Sequence, residues 1–166
     1  AGKNARSKVT GRESRVASRG SKERLMSQKH IAILPEEVIN KISAGEVIER
    51  PASVVKELLE NSLDAGATAI TIELNNGGTN LIQVADHGHR IPPPEVPLAL
   101  RRYATSKISA FNDLIILDTL GFRGEALPSI AAVSKITMVT RTPEALSAAK
   151  IVIHGGKVLT QGEEGA

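Results

Sequence analysis

The chain has 166 residues, 41% of them hydrophobic and 2% aromatic, with 21 Lys and Arg against 18 Asp and Glu for a net charge of +3. That length suits one soluble domain with a real core, no run of about 18 apolar residues offers a membrane span, and no signal-peptide core is read near the start. Without Cys there are no disulfides or thiolate metal sites, and three aromatic residues (Tyr103, Phe111 and Phe122) make base stacking a poor expectation.

Residues 1–25 hold Lys3, Arg6, Lys8, Arg12, Arg15, Arg19, Lys22 and Arg24 against Glu13 and Glu23, a net of +6 that leaves −3 for the rest. This segment reads as a disordered basic extension, with the domain proper over 26–166. It either attracts phosphate backbones or is an upstream extension with no role, since Met26 precedes the first ordered-looking pattern. Ile31 to Leu34 is a short apolar run ended by Pro35. Val38, Ile39 and Ile42 predict a helix over 36–44, stopped by Gly45. A second helix is predicted after Pro51, with Ser53 as N-cap and Gly66 as stop. Ile70, Ile72 and Leu74 then alternate as in a strand, Asn75 to Gly78 signals a hairpin, and a second strand runs through 81–85 to Asp86.

Residues 87–97 read as loop, with a short helix through 98–102. Thr105 to Lys107 and Asn112-Asp113 carry loop or cap chemistry. The next helix is expected to begin near Leu127, which accommodates Pro128 close to its start, and to end near Ser134. Strands are predicted over 136–140, 150–153 and 157–159, with a frayed polar tail over 161–166.

Three features carry chemistry. Glu57, Asn61 and Asp64 fall at i, i+4 and i+7, one polar stripe on a helix whose other side holds Val54, Val55, Leu58, Leu59 and Leu63. The stripe is either a solvated face or a hydrolytic site, in which an amide oxygen ligates Mg²⁺ and a carboxylate deprotonates a water. Asp86, at a strand end before Gly88, is either a turn residue or an acceptor for an exocyclic amine such as that of adenine. Gly121-Phe122-Arg123-Gly124-Glu125 is either a turn or a phosphate-binding run of backbone N–H groups at a helix start.

The runs Glu49 to Ala67, Ala104-Thr105-Ser106-Lys107-Ile108 and Gly121 to Leu127 closely resemble the MutL family of DNA mismatch repair proteins, within the GHKL superfamily, over about 27–160. The resemblance implies an α/β (α+β) Bergerat-type two-layer sandwich, a mixed β-sheet with helices on one face, and ATP held under a mobile lid. By position, Glu57 resembles the general base and Asn61 the Mg²⁺ ligand. Asp86 resembles the adenine-selecting carboxylate, followed by Gly88 and Arg90. Thr105, Ser106 and Lys107 fall in the lid, and Gly121, Phe122, Arg123 and Gly124 resemble the phosphate loop. For Lys107 a phosphate contact and a solvated lid charge stay open, and for Arg123 a lid anchor and a surface charge. Asp64 is expected to order the nucleotide pocket or its waters. Implied partners are a MutS-like mismatch-recognition protein, DNA bound largely non-specifically, and a second copy in an ATP-dependent homodimer. The implied setting is cytoplasmic and nucleoid-associated in a bacterium, or nuclear in a eukaryote, with no membrane.

The sequence also departs from the family. Its adenine-site motif, Asp-Asn-Gly-x-Gly-Ile, is here Asp86-His87-Gly88-His89-Arg90-Ile91. Arginine at the second glycine position is expected to crowd the base or sugar, or to swing out to a phosphate. His87 and His89 read as loop residues. The family's ATPase region continues past residue 166 to a Gly-Thr motif and a lysine-bearing subdomain, followed by a dimerisation region that is an endonuclease in many members. A fragment or truncated product is therefore expected, with the last strands missing, an exposed edge or unfilled core, and weak or absent ATP hydrolysis. The rival expectation is a degenerate GHKL-fold scaffold that has lost ATP binding. A kinase or topoisomerase fits the combined motifs less well.

Overall fold

A computed structural model describes residues 31–116 and 118–165. Its contacts divide the chain into units Ala1–Ala32 and Ile33–Ala166, and every regular element among the described residues belongs to the second. The basic segment 1–25 lies outside the described residues.

Helix α1 spans Glu36–Val47 and helix α2 Pro51–Asp64. α1 runs through Gly45, where the expected stop fails: Ala44 is fully buried, and packing of α1 on a third helix outweighs the roughly 1 kcal/mol cost of an interior glycine. Pro51 occupies the first turn of α2, where its missing N–H costs nothing, and the extended Arg50 before it takes the cap position. Ser53 therefore lies inside the first turn and is not the N-cap. At the other end Gly66 N–H donates to Leu63 O and Ala67 N–H to Ser62 O, the paired bonds of a Schellman stop.

Strands β1 (Ile70–Asn75) and β2 (Leu81–Asp86) pair antiparallel, joined by a 3-10 turn over Asn76–Gly78, as the hairpin signal requires. The stretch 87–97, read as loop, contains a 3-10 turn over Pro93–Glu95 and inserts Val96 into the core, and the short helix expected over 98–102 is a 3-10 turn over Leu98–Leu100. Helix α3 covers Ala126–Val133, then β3 (Lys135–Thr140), β4 (Ala148–His154) and β5 (Lys157–Glu164) form an antiparallel sheet with β4 central. β5 extends five residues beyond the expected 157–159 strand, to Glu164. Its polar end is held by pairing along β4, by Ser147 Oγ donating to Glu163 at 2.8 Å, and by a Lys150–Glu164 ion pair.

The class is α+β. Instead of one mixed sheet, the described strands form two antiparallel sheets. α2 packs on β2, α3 on β3 and β4, and α3 lies between α1 and α2. The core sits under β4, where Ile151 and Ile153 meet Ala131 and Val96, flanked by Ile91, Leu100, Ile136 and Met138. Among the described residues β1 pairs with β2 alone, and Ile72 and Leu74 are exposed.

Candidate functional site

Helix α2 carries the polar stripe, and its environment grades along its length. Glu57, in the middle, is partly open, with Lys56 Nζ at 3.9 Å. Asn61, one turn on, accepts a hydrogen bond through Oδ1 from Lys107 Nζ at 3.0 Å. An ammonium has only donors, so it fixes the amide with its oxygen toward the cation. Asp64, 6% exposed, ends the stripe as the most heavily bonded carboxylate of the site. Lys107 Nζ donates to it at 2.5 Å, Leu120 N–H at 2.9 Å and Gly121 N–H at 3.1 Å. Burial pushes the Asp64 carboxyl up, but the Lys107 ammonium and the two backbone donors outweigh burial and hold it below its usual value.

Asp86, the last residue of β2, is bound to the same helix. Ser62 Oγ donates to Asp86 Oδ2 at 3.1 Å and Gly88 N–H to Oδ1 at 2.8 Å. Gly88 is needed for close approach, since a Cβ there would lie 2.8 Å from both Ala65 Cβ and Ala65 O. His89 closes the same junction, its N–H and Nδ1 both reaching Ala65 O, so Nδ1 carries the proton. Arg90 stays beside Asp86. Its backbone is not in the left-handed region, and its guanidinium folds back to donate to Asp86 O at 2.7 Å, 3.8 Å from Oδ1. A positive φ, the backbone conformation that would favour glycine there, is absent.

Thr105, Ser106 and Lys107, expected in a lid, lie in an excursion closed at its neck by Tyr103 N–H donating to Gly124 O. Gly124 has φ +60°, and a Cβ on it would lie 2.5 Å from Ala104 O, so the neck closes only with glycine. Tyr103 holds a left-handed φ of +62° without that freedom. Thr105 Oγ1 accepts from Lys107 N–H, shaping the turn that aims Lys107 at α2, while Ser106 is exposed. Farther out, Asp113 accepts from Ser109 N–H, Ala110 N–H and Ser109 Oγ, which hold its carboxyl below the usual range. Gly121 spends its N–H on Asp64. Phe122 carries the Arg123 guanidinium 5.6 Å from its ring centre, with Arg123 exposed.

Asn61, Asp64, Lys107 and Gly121 thus form one hydrogen-bonded cluster, and Asp86, Gly88 and Arg90 a second, joined to α2 through Ser62. Thr105 supports the first cluster, whereas Ser106 and Arg123 face outward. Two contributors escape the motif reading. Ser62 is a buried polar residue in the apolar stripe of α2, one turn after Leu58, and that misplacement was its signal. Arg102 pairs with Glu125 at 3.6 Å and donates to Asn40 O, tying the neck to α1 and α3, and no local pattern marks it.

Residues 48–160 match the family model described as histidine kinase-, DNA gyrase B- and HSP90-like ATPase. The DNA mismatch repair protein MutL of Halothermothrix orenii is 59% identical over 133 residues, covering 80% of this chain and 21% of that protein. MutL of Xanthomonas campestris pv. campestris is 58% identical over 125 residues, covering 75% and 20%. The chain therefore spans about a fifth of the length of these relatives. Among solved structures, the N-terminal domain of a DNA repair protein superposes with a TM-score of 0.61 at 29% identity, covering 77% of this chain and 36% of that one. The Aquifex aeolicus MutL ATPase domain complexed with ADP gives 0.55 at 32% identity, covering 72% and 39%. The chain belongs to the histidine kinase-, DNA gyrase B- and HSP90-like ATPase family, where its likeness is to the mismatch repair proteins named MutL.

Proposed function

We propose that this chain binds ATP with Mg²⁺ and contributes the water-activating side of an ATPase site to a DNA mismatch repair protein. The observation that carries the reading is that one helix gathers the chemistry. α2 presents Glu57 and Asn61 on one stripe and, through Ser62, holds Asp86 against itself. Glu57 would orient and deprotonate the water that attacks the γ-phosphate, its partial exposure leaving the carboxylate accessible. Asp86 keeps unused acceptor lone pairs beyond those taken by Ser62 and Gly88, enough to receive the exocyclic amine of adenine. Asn61 fits a metal ligand, since its oxygen already faces a cation, and Mg²⁺ held there would neutralise phosphate charge. Thr105, Lys107 and the run Gly121 to Gly124 belong to the segment that would reorder around the nucleotide. In the whole protein, that ordering would govern dimerisation and contacts with a MutS-like partner and DNA. The setting would be cytoplasmic and nucleoid-associated in a bacterium, or nuclear in a eukaryote.

Calorimetric titration with ATP·Mg²⁺ tests this. Saturable binding is expected, lost in Asp86→Asn and retained in Glu57→Ala, which should abolish whatever hydrolysis the wild type supports. No binding by a folded wild type would instead favour a scaffold that keeps the fold alone.

A further inference from the structure

Lys107 and Asp64 together place opposite charges on the two kinds of group that a metal–nucleotide complex would engage. The Lys107 ammonium sits on Asn61 Oδ1, the oxygen suited to a divalent cation. The Asp64 carboxylate sits on the N–H groups of Leu120 and Gly121, donors suited to an anion. The two charges then close on each other, Nζ to Oδ2 at 2.5 Å, with side chains 20% and 6% exposed. Residues from α2 and from both arms of the excursion are drawn into this one knot, while Tyr103 and Gly124 close the neck below it.

We propose that the Lys107–Asp64 pair is an internal surrogate for the metal–phosphate pair, a latch that holds the lid against α2 until ATP·Mg²⁺ displaces it. The inference rests on Asn61 being the metal ligand. The two occupants of Asn61 Oδ1 are mutually exclusive, because a cation coordinated there and an ammonium 3.0 Å away would repel each other across a short, partly buried gap. Each occupancy therefore weakens the other, and the metal's apparent affinity is reduced by the fraction of molecules that are latched. Entry of the metal frees Lys107, and with it the Thr105 to Lys107 turn. Asp64 loses its cationic partner at the same moment, which loosens its hold on Leu120 and Gly121. One displacement thus releases both arms of the excursion.

The test is a Mg²⁺ titration of the ATP-saturated intact protein, read by calorimetry, with thermal unfolding as a check of folding. Lys107→Met keeps the length of the side chain and removes its charge, and should tighten Mg²⁺ binding about tenfold or more. Lys107→Gln should do the same and serves if the methionine variant does not fold. Unchanged or weaker Mg²⁺ binding in the folded Lys107 variants overturns the latch, weaker binding placing Lys107 on the phosphates. Asn61→Ala separates the premises. If it weakens Mg²⁺ binding while the Lys107 variants do not tighten it, the latch fails and the ATP-site reading stands. If it leaves Mg²⁺ binding unchanged, the reading of Asn61 fails and the latch with it.

Discussion

Asp64 is the residue on which the site's stability turns, because it is a carboxylate withdrawn from water and repaid by three donors. Its folded-state carboxyl lies below the usual 3.8, since Lys107, Leu120 N–H and Gly121 N–H outweigh burial. The unfolded chain then binds the proton more readily, so stability rises with pH across the interval between the two values. The contribution is complete above about pH 5 and is lost as pH falls through the folded value. Asp64→Asn removes the titration and leaves Lys107 facing only neutral acceptors, which should cost about 3 kcal/mol at neutral pH. Urea unfolding from pH 7 down to about pH 2 should show the variant destabilised at neutral pH, with the gap to wild type closing in acid. Asp113, also held low, supplies acid dependence common to both proteins. A gap that stays constant with pH would mean that Asp64 is not the buried ionised hub described here.

At the scale of elements, β4 organises the core, although α2 carries the proposed site. Ile151 is completely buried where β4 meets α3 and Val96, which lies between two 3-10 turns, so Ile151→Ala should lower stability by about 2–5 kcal/mol. Val158 on β5 is 56% exposed, and Val158→Ala should change it by less than about 0.5 kcal/mol. Equal effects from the two, measured by denaturant midpoints, would contradict this placement of the core. The elements that were legible in the sequence are those whose signal is local. The 3.6-residue spacing and terminal Pro51 and Gly66 announce α2, and alternation around Asn75 to Gly78 announces the hairpin. The end of β5 was not legible, because Gln161, Gly162 and Glu163 become a strand only through backbone pairing with Lys150, Ala149 and their neighbours. Gly45 misled for the same reason, its helix being sustained by α3. The site divides likewise. Glu57 and Asn61 are readable from their stripe, whereas the bond from Lys107 to Asp64 joins segments with no local relation. The fate of Arg90 depended on a main-chain carbonyl that no side-chain motif encodes.

For the whole molecule, charge is distributed more tellingly than its total. The net +3 is the difference between +6 in residues 1–25 and −3 in the remainder. Every described element, including both halves of the site, belongs to the net-acidic remainder, which would repel a duplex at long range. Non-specific DNA affinity of this chain should therefore reside in the basic segment. Binding through it would release counterions, so the logarithm of the binding constant should fall with the logarithm of salt concentration at a slope of about −5 if most of that charge meets phosphate. Removing residues 1–25 should eliminate measurable binding near 0.1 M salt and leave ATP affinity unchanged, since the α2 site lies wholly outside them. Fluorescence anisotropy of a labelled random-sequence duplex, titrated at several salt concentrations with and without the segment, decides the matter. If the shortened chain keeps the same affinity and slope, DNA contacts must come from exposed cations of the domain such as Arg123 and Lys135. The basic segment would then be an extension without a role in binding.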